Sequence, residues 1–366
     1  MIRERKEILY FKQDNLSDQL FDEKSLFFDI ETTGFSPKHS QIYLIGCACK
    51  KGNQLIVQQF FASSIDEEPE LIKCFLQVIE EYQTLISFNG VGFDIPFLKA
   101  KCDTYHIKES FGNMDYLDIF KSVSSIKFLL KLENYKQKTI EKFLGIMRED
   151  PYSGGELINV YYEFQKTQSE SSLKTLLLHN YEDVIGMIDL LPVLSYLEIF
   201  HGQYAITDIE FEDYRAYDGE RKKEICITLK NDFAVPQRVS FHHKGVHFVS
   251  KGFRTLLRVP IFSGELHYFF SDYQNYYYLP DEDLAIHKSI ATFVDKKYRE
   301  TAHAYNCYNR KSGDFLPQYE EIMNPVFRKK YKDKVSYFEL TNDFCSSDVM
   351  LRRYVDHLLQ FLFHQA

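Results

Sequence analysis

Apolar positions in the first 90 residues fall into runs and stripes. Ser25 to Phe28, Gln41 to Cys49, Leu55 to Phe61 and Thr84 to Phe88 are near-continuous apolar runs of strand length. Runs of that kind predict buried strands. Lys51-Gly52-Asn53 separates the second from the third, so the first three strands predict an antiparallel meander. Between the third and fourth, Leu71, Phe75, Val78, Ile79 and Tyr82 recur at helical spacing behind Glu68-Pro69-Glu70. An early proline with acids in the first turn marks a helix start. Met1 to Asp22 predicts a polar lead-in with one or two short elements. Further on, Thr139 to Gly145 predicts a helix ending on glycine, Pro151 to Glu156 a loop and Leu157 to Phe164 a helix. Leu173, Leu176, Leu177, Val184 and Met187 form the apolar stripe of a longer helix, which Pro192 ends or kinks. Hairpins, a helix and then another strand predict a mixed α/β sheet flanked by helices.

After His201 the period shortens. Ile225 to Leu229, Arg238 to Phe241, Val246 to Val249, Thr255 to Val259 and His267 to Phe270 predict short strands with turns between them, as in a β-sandwich or small barrel. From about Asp281 the pattern predicts helices, ending in an amphipathic helix over Val349 to Phe363. The change of texture divides the chain into an α/β domain over residues 1–200 and a β-rich accessory domain over 201–366. A length of 366 residues supports two cores.

Hydrophobic residues at 45% and charged residues at 27% are those of a soluble globular protein. The first residues, Met1 to Glu7, are charged and unlike a signal peptide, and no apolar run reaches the roughly 20 residues of a membrane helix. Seven scattered cysteines without a Cys-x-x-Cys pair predict buried thiols in a reducing cytoplasm. The net charge of -9 lies wholly in the first 200 residues, where 30 acids meet 21 bases. Between Asp232 and Glu265 there is no acid, yet Arg238, Lys244, Lys251, Arg254 and Arg258 occur. That strip reads either as a guide for a nucleic-acid strand or as one charged face of a sheet.

Candidate chemistry begins at Asp29 and Glu31. Two apart on a strand, they point to one face at the end of a buried run. Alone, such a pair reads first as a turn cap and a solvated acid. Buried together, the two carboxylates are costly unless a cation joins them, and oxygen ligands suit magnesium or manganese. A second segment, Asn89-Gly90-Val91-Gly92-Phe93-Asp94, brings Asp94 to a helix entrance, as a cap or as a third carboxylate at a neighbouring strand end. In the third, His179 and Asp183 stand four apart on a helix and share a face, while Tyr181 points nearly the opposite way. Asp115 and Asp118 read as structural.

Together, Asp-x-Glu-Thr-Thr-Gly, Phe-Asn-Gly-x-x-Phe-Asp and His-x-x-x-Asp, in that order, resemble the three motifs of the DEDD exonucleases, the DnaQ-like branch of the ribonuclease H fold. The stretches Phe28 to Gly34, Gln41 to Cys47, Leu144-Gly145-Ile146 with Arg148-Glu149-Asp150, and Asn180 to Val184 resemble the YprB-type ribonuclease H-like family more closely. The resemblance covers about Ser25 to Phe200. It implies that Asp29, Glu31, Asp94 and Asp183 bind two divalent ions, Mg2+ or Mn2+, for hydrolysis of single-stranded DNA or RNA, most readily as a 3′–5′ exonuclease. The general base in these enzymes is a Tyr four residues before the last Asp or a His five before it. Here His179 is four before, so its residue type belongs to one subgroup and its spacing to the other. Helix geometry favours His179 over Tyr181. Thr32, Thr33 and Phe35 occupy the stretch that contacts the terminal nucleotide in these families, and Asn89 is placed to orient substrate or the Asp94 loop. The rival readings are a non-catalytic nucleic-acid-binding module and a structure-selective endonuclease of the ribonuclease H type.

Overall fold

In a computed structural model, which describes residues 1–10, 14–152, 154–215 and 219–364, each apolar run of the first 90 residues forms a strand. The chain falls into two compact units, Met1–Glu198 with Phe233–Gln237 and Ile199–Asp232 with Arg238–Ala366. In the first unit β1 (Ile2–Leu9), β2 (Ser25–Thr32), β3 (Ile42–Lys51), β4 (Gln54–Phe61), β5 (Thr84–Ser87) and β6 (Asp115–Asp118) form one mixed sheet. The strand order is β1-β4-β3-β2-β5-β6, with β2 antiparallel to β3 and parallel to β5. The lead-in holds β1, which pairs with β4 at the sheet edge, and a short helix α1 (Asn15–Leu20). Phe11 to Gln13, within that lead-in, lie outside the described residues.

Alternation along β2 decides what each face of the sheet meets. Leu26, Phe28 and Ile30 join the core with α2 (Glu68–Ile79) and α3 (Asp94–Thr104), where the rings of Phe28 and Phe75 lie 5.4 Å apart. Asp29 and Glu31 belong to the other face. That face is covered by α7 (Gly154–Thr167) and α8 (Glu170–Leu190), through a core of Tyr43, Phe61, Tyr161, Phe164 and Leu176. Ser169 caps the start of α8, its hydroxyl accepting from the N–H of Ser172. Before these helices the chain forms α4 (Ile119–Ser124), α5 (Lys127–Leu130) and α6 (Gln137–Leu144), the last closed by Gly145 at φ +82°. A final short helix, α9 (Ser195–Phe200), follows Pro192. The loop expected over residues 151–156 is shorter, because α7 already begins at Gly154; Ser153 lies outside the described residues. First-turn N–H groups need no intrahelical partner, so glycines are tolerated there.

The second unit is β-rich, but its strands are long. β7 (Tyr204–Arg215), β8 (Arg221–His243), β9 (Val246–Phe269), β13 (Tyr308–Gln318) and β14 (Ser336–Glu339) form a sheet in the order β14-β13-β9-β8-β7. The expected short strands merge into the two long strands β8 and β9, which a two-residue turn at Lys244-Gly245 joins. The intervening polar stretches continue the strands instead of ending them. Gly252 takes φ +56°, a conformation found at bulges, and Thr255 donates to Asn231 at 2.7 Å across the strands. The expected helical region from Asp281 is also corrected. It holds β11 (Leu284–His287), β12 (Glu300–Thr301), β13 and β14; β11 and β12 flank β10 (Tyr276–Leu279) in a second, small sheet. Among the described residues of that region, α-helix is confined to α10 (Asn342–Ser346) and the expected amphipathic α11 (Asp348–Phe363). Nor is the acid-free strip free of acids in space. Strand pairing brings Glu224 within 3.0 Å and Glu212 within 3.3 Å of Arg258.

One buried ion pair locks the far face of the first sheet. Glu68, fully buried, accepts from the Ile42 N–H at 2.8 Å, from Lys101 at 3.2 Å and from the Tyr105 hydroxyl at 2.5 Å. It thereby ties α2 to α3 and to the start of β3. Removing one partner strands a buried charge, so Lys101→Met is expected to cost about 3–5 kcal/mol in urea unfolding. Glu68→Gln with Lys101→Met should cost less than Lys101→Met alone.

Candidate active site

The sheet face under α8 gathers the candidate acids. Asp29 and Glu31 rise from the end of β2, and Asp94 is the first residue of α3. Asp94 does not cap its helix. Its Oδ1 accepts from the Ile30 N–H at 3.2 Å, so the carboxylate leans over the strand between Asp29 and Glu31. Asp118 holds the loop that delivers it, accepting from the N–H groups of Asn89, Val91 and Lys121 at 3.0, 3.1 and 3.1 Å. That is the structural role expected of Asp118.

From α8, His179 and Asp183 face the acids. His179 is 4% exposed, and its Nε2 lies 3.1 Å from Asp183 Oδ2 and 3.5 Å from Glu31 Oε1. Ligand atoms of Glu31, His179 and Asp183 all lie within 4.8 Å of one another. Tyr181 turns the other way, where Lys6 Nζ of β1 sits 4.4 Å from its ring centre. The helical angle argued from the sequence is therefore the one observed.

Several residues of the site carry no role in the sequence reading. Asn180, fully buried, donates to Asp29 Oδ2 at 3.0 Å and accepts from Gln59 at 2.9 Å. Gly46 on β3, directly opposite Asp29, makes room for it: a Cβ at that position would fall 2.1 Å from the Asn180 Oδ1. Arg148 ion-pairs with both Asp183 and Glu141. Glu141 reaches that point because α6 packs on Gly186, where a Cβ would meet its Oε1 at 2.2 Å. Asp150 takes the other ring nitrogen of His179 at 2.5 Å, and Lys138 holds Asp150 at 2.8 Å. Glu182 fixes this segment to α8 by accepting from the N–H groups of Glu149 and Asp150, both at 2.9 Å. The sequence signal for Arg148 and Asp150 is their place in a charged triplet that carries the family resemblance, without a role for either. For Gln59 it was a polar residue inside an apolar run.

The electrostatics follow from burial, with like charges adding to it at Asp29 and Glu31. Burial, then Asp183, Glu31 and Asp94, push the Asp29 carboxyl well above its ordinary value, against the Asn180 amide. Burial also pushes Glu31 up to about 8, with His179 opposing and Asp183 and Asp94 adding to the rise. Burial raises Asp94 to about 7, against the Ile30 N–H. For Asp183 burial works upward too, but His179 and Arg148 outweigh it and hold the carboxyl low. Burial works to lower His179, yet Asp183, Glu31 and Asp150 lift it to about 9. Three carboxylates thus stand close together short of positive charge. Their chemistry fits divalent cations held by oxygen.

The residues expected to touch substrate are placed unevenly. The Thr32 hydroxyl donates to Gly34 O at 2.8 Å, and the Thr33 hydroxyl accepts from the Gln41 N–H at 2.9 Å, so both brace the turn after β2. Phe35 is 91% exposed, its ring 6.2 Å from that of Phe93, next to Asp94. Asn89 takes φ +66° in the loop below, a conformation asparagine tolerates.

Residues 26–195 match the family model described as "RNase_H superfamily". The Bacillus subtilis (strain 168) "Uncharacterized protein YprB" is 29% identical over 194 residues, covering 50% of this chain and 46% of that protein. A DNA polymerase of Methanocaldococcus jannaschii is 30% identical over 97 residues, covering 24% of this chain and 6% of the polymerase. The chain thus spans under half the length of these relatives. Among solved structures, the family B DNA polymerase of Pyrobaculum calidifontis is similar at TM-score 0.38 and 13% identity, over 70% of this chain and 36% of that one. The α/β unit that presents Asp29, Glu31, Asp94 and Asp183 has a ribonuclease H-like fold and resembles the ribonuclease H superfamily over residues 26–195, a little under half of the chain.

Proposed function

We propose that the chain is a metal-dependent nuclease that hydrolyses phosphodiester bonds of single-stranded DNA or RNA, as a 3′–5′ exonuclease. The observation that carries this reading is the convergence of Asp29, Glu31, Asp94 and Asp183 on one spot, three of them raised chiefly by burial. Those four side chains would hold two Mg2+ or Mn2+ ions. Bound divalent cations supply the charge that a phosphodiester and its attacking water require. The rest is done by the chain. His179 takes the proton of the attacking water through Nε2, once cations neutralise the acids that otherwise keep it protonated. Asp150 accepts from Nδ1–H and fixes which nitrogen faces the acids. Phe35, exposed at the rim, stacks on the terminal base, with Thr32, Thr33 and Asn89 shaping the floor beneath it. The cytoplasm suits seven free cysteines, and no helix among the described residues is long and apolar enough to cross a membrane. Four intact acids weigh against a module that only binds nucleic acid.

Cleavage of end-labelled single-stranded DNA and RNA, with Mg2+, Mn2+ or EDTA, tests the reading directly. Asp183→Asn and Asp29→Asn should each abolish cleavage and keep the fold. A folded Asp183→Asn protein that cleaves at the wild-type rate removes the metal site.

His179→Ala should slow cleavage by about 10²–10⁴-fold, with metal affinity largely kept. Asp150→Asn should fall between it and the wild type, and Tyr181→Phe should change little. A large loss with Tyr181→Phe and none with His179→Ala would exchange the two roles.

Metal removal has a signed pH signature. Glu31 and Asp94, at about 8 and 7, and Asp29, also raised, bind protons in the folded state that the unfolded chain releases near pH 4. His179, at about 9, does the same above its ordinary 6.5. Stability of the metal-free protein should therefore fall as pH rises from about 5 to 9. Added Mg2+ should flatten that decline in melting temperature. A melting temperature that climbs over this range in EDTA contradicts the raised carboxyls.

A further inference from the structure

The second unit carries a cavity of about 800 Å³ whose lining includes five basic side chains and the rings of Phe262, Tyr319 and Tyr337. We infer that it is a groove for single-stranded nucleic acid, separate from the acidic site and built from second-unit residues alone. Five basic and two acidic side chains line it. Two of the bases are engaged: Lys222 lies 3.6 Å from Glu220, and Lys223 lies 3.0 Å from Asp314. Arg221, Lys244 and Lys329 pair with no carboxylate among the described residues, which leaves three cations against Asp213.

Aromatic rings hold two of these cations in place. Lys329 Nζ stands 4.4 Å from the centre of the Phe262 ring, which is 5.6 Å from that of Tyr337. Lys244 Nζ stands 5.5 Å from the Phe361 ring, against which Tyr319 stacks at 3.4 Å. Lys244 also occupies an unfavourable backbone. It sits at φ +45° in the two-residue turn between β8 and β9, followed by Gly245 at φ +90°. Asparagine, aspartate or glycine is the usual residue at that place in such a turn. A lysine kept there costs backbone energy and adds one positive charge to the cavity rim. The Tyr319 hydroxyl fixes the turn by donating to the Lys244 carbonyl at 3.1 Å.

Several cations in one cavity match the repeated charge of a sugar–phosphate chain, and the flat rings beside them match its bases. An acidic peptide would use the cations and leave the rings idle. A double helix presents its bases edge-on and cannot stack on Phe262.

The test measures binding of labelled oligo-dT and oligo-rU by fluorescence anisotropy in EDTA, across a salt series. Arg221→Gln, Lys244→Asn and Lys329→Gln combined should weaken binding about tenfold or more and flatten the log–log salt slope by about 2. Asparagine suits the turn, so this variant should fold, as its melting temperature will show. Phe262→Leu, which keeps every charge, should weaken single-strand binding about tenfold and leave polyphosphate binding unchanged. Unchanged affinity and slope in both variants overturn the groove. So does a loss of polyglutamate binding with oligonucleotide binding intact. If the wild type cleaves with Mg2+ while its binding in EDTA ignores these residues, the groove falls and the nuclease reading stands. If binding depends on them but no cleavage occurs, the groove stands and the nuclease reading falls.

Discussion

Like charges forced together at the end of a buried strand set the terms for the rest of the first unit. β2 is apolar from Leu26 to Phe28 and cannot be drawn out into water to hydrate Asp29 and Glu31. Asp94 is then brought over the same strand by a bond to its backbone. Such a cluster survives folding only where the surroundings supply dipoles and positive charge. The helices that cover this face do so in a graded way. Asp29 receives only an amide, Glu31 a histidine and a tyrosine hydroxyl, and Asp183 a full guanidinium. The site is therefore asymmetric, with its compensated end at Asp183 and its uncompensated end at Asp29. A divalent cation gains most from the uncompensated end.

The scaffold meets these demands through residues that look incidental. Gly46 and Gly186 are gaps into which Asn180 and Glu141 project. The Gln59 amide orients that of Asn180, so that its NH2 group faces Asp29. Arg148 and Asp150, two apart in one connection, each grip one member of the His179–Asp183 pair. The third motif is thus not an independent helix that brings two side chains. It is half of an assembly whose other half is the segment after α6.

Much of this was legible in the sequence, for identifiable reasons. Period-2 placement alone put Asp29 and Glu31 on one face, and the 3.6-residue turn alone separated His179 from Tyr181. Those are local geometric facts that tertiary context did not override. Contacts between distant segments were not legible. Nothing near Asn180 in the chain announces a bond to Asp29, and nothing near Arg258 announces that Glu212 and Glu224 will neutralise it. An acid-free stretch of chain is not an acid-free surface, because strand pairing mixes segments that the sequence keeps apart. The second unit misled in another way. Polar interruptions that normally end strands lie inside β8 and β9, where cross-strand bonds such as Thr255 to Asn231 satisfy them.

The order in which the site's parts occur along the chain has a consequence for synthesis. Asp29, Glu31 and Asp94 leave the ribosome early, while Arg148, His179 and Asp183 follow some 50 to 90 residues behind Asp94. Until α8 arrives, that face of the sheet is uncovered and its acids remain hydrated, without the cost of desolvation. The expensive step, stripping water from the acids, is deferred to the moment when the helix carrying Asn180, His179 and Asp183 docks and the Arg148 segment closes beside it. A nascent chain arrested before residue 180 would therefore hold a sheet with an open, wet, acidic face. Closure of the site then precedes completion of the first unit, which also takes in Phe233–Gln237.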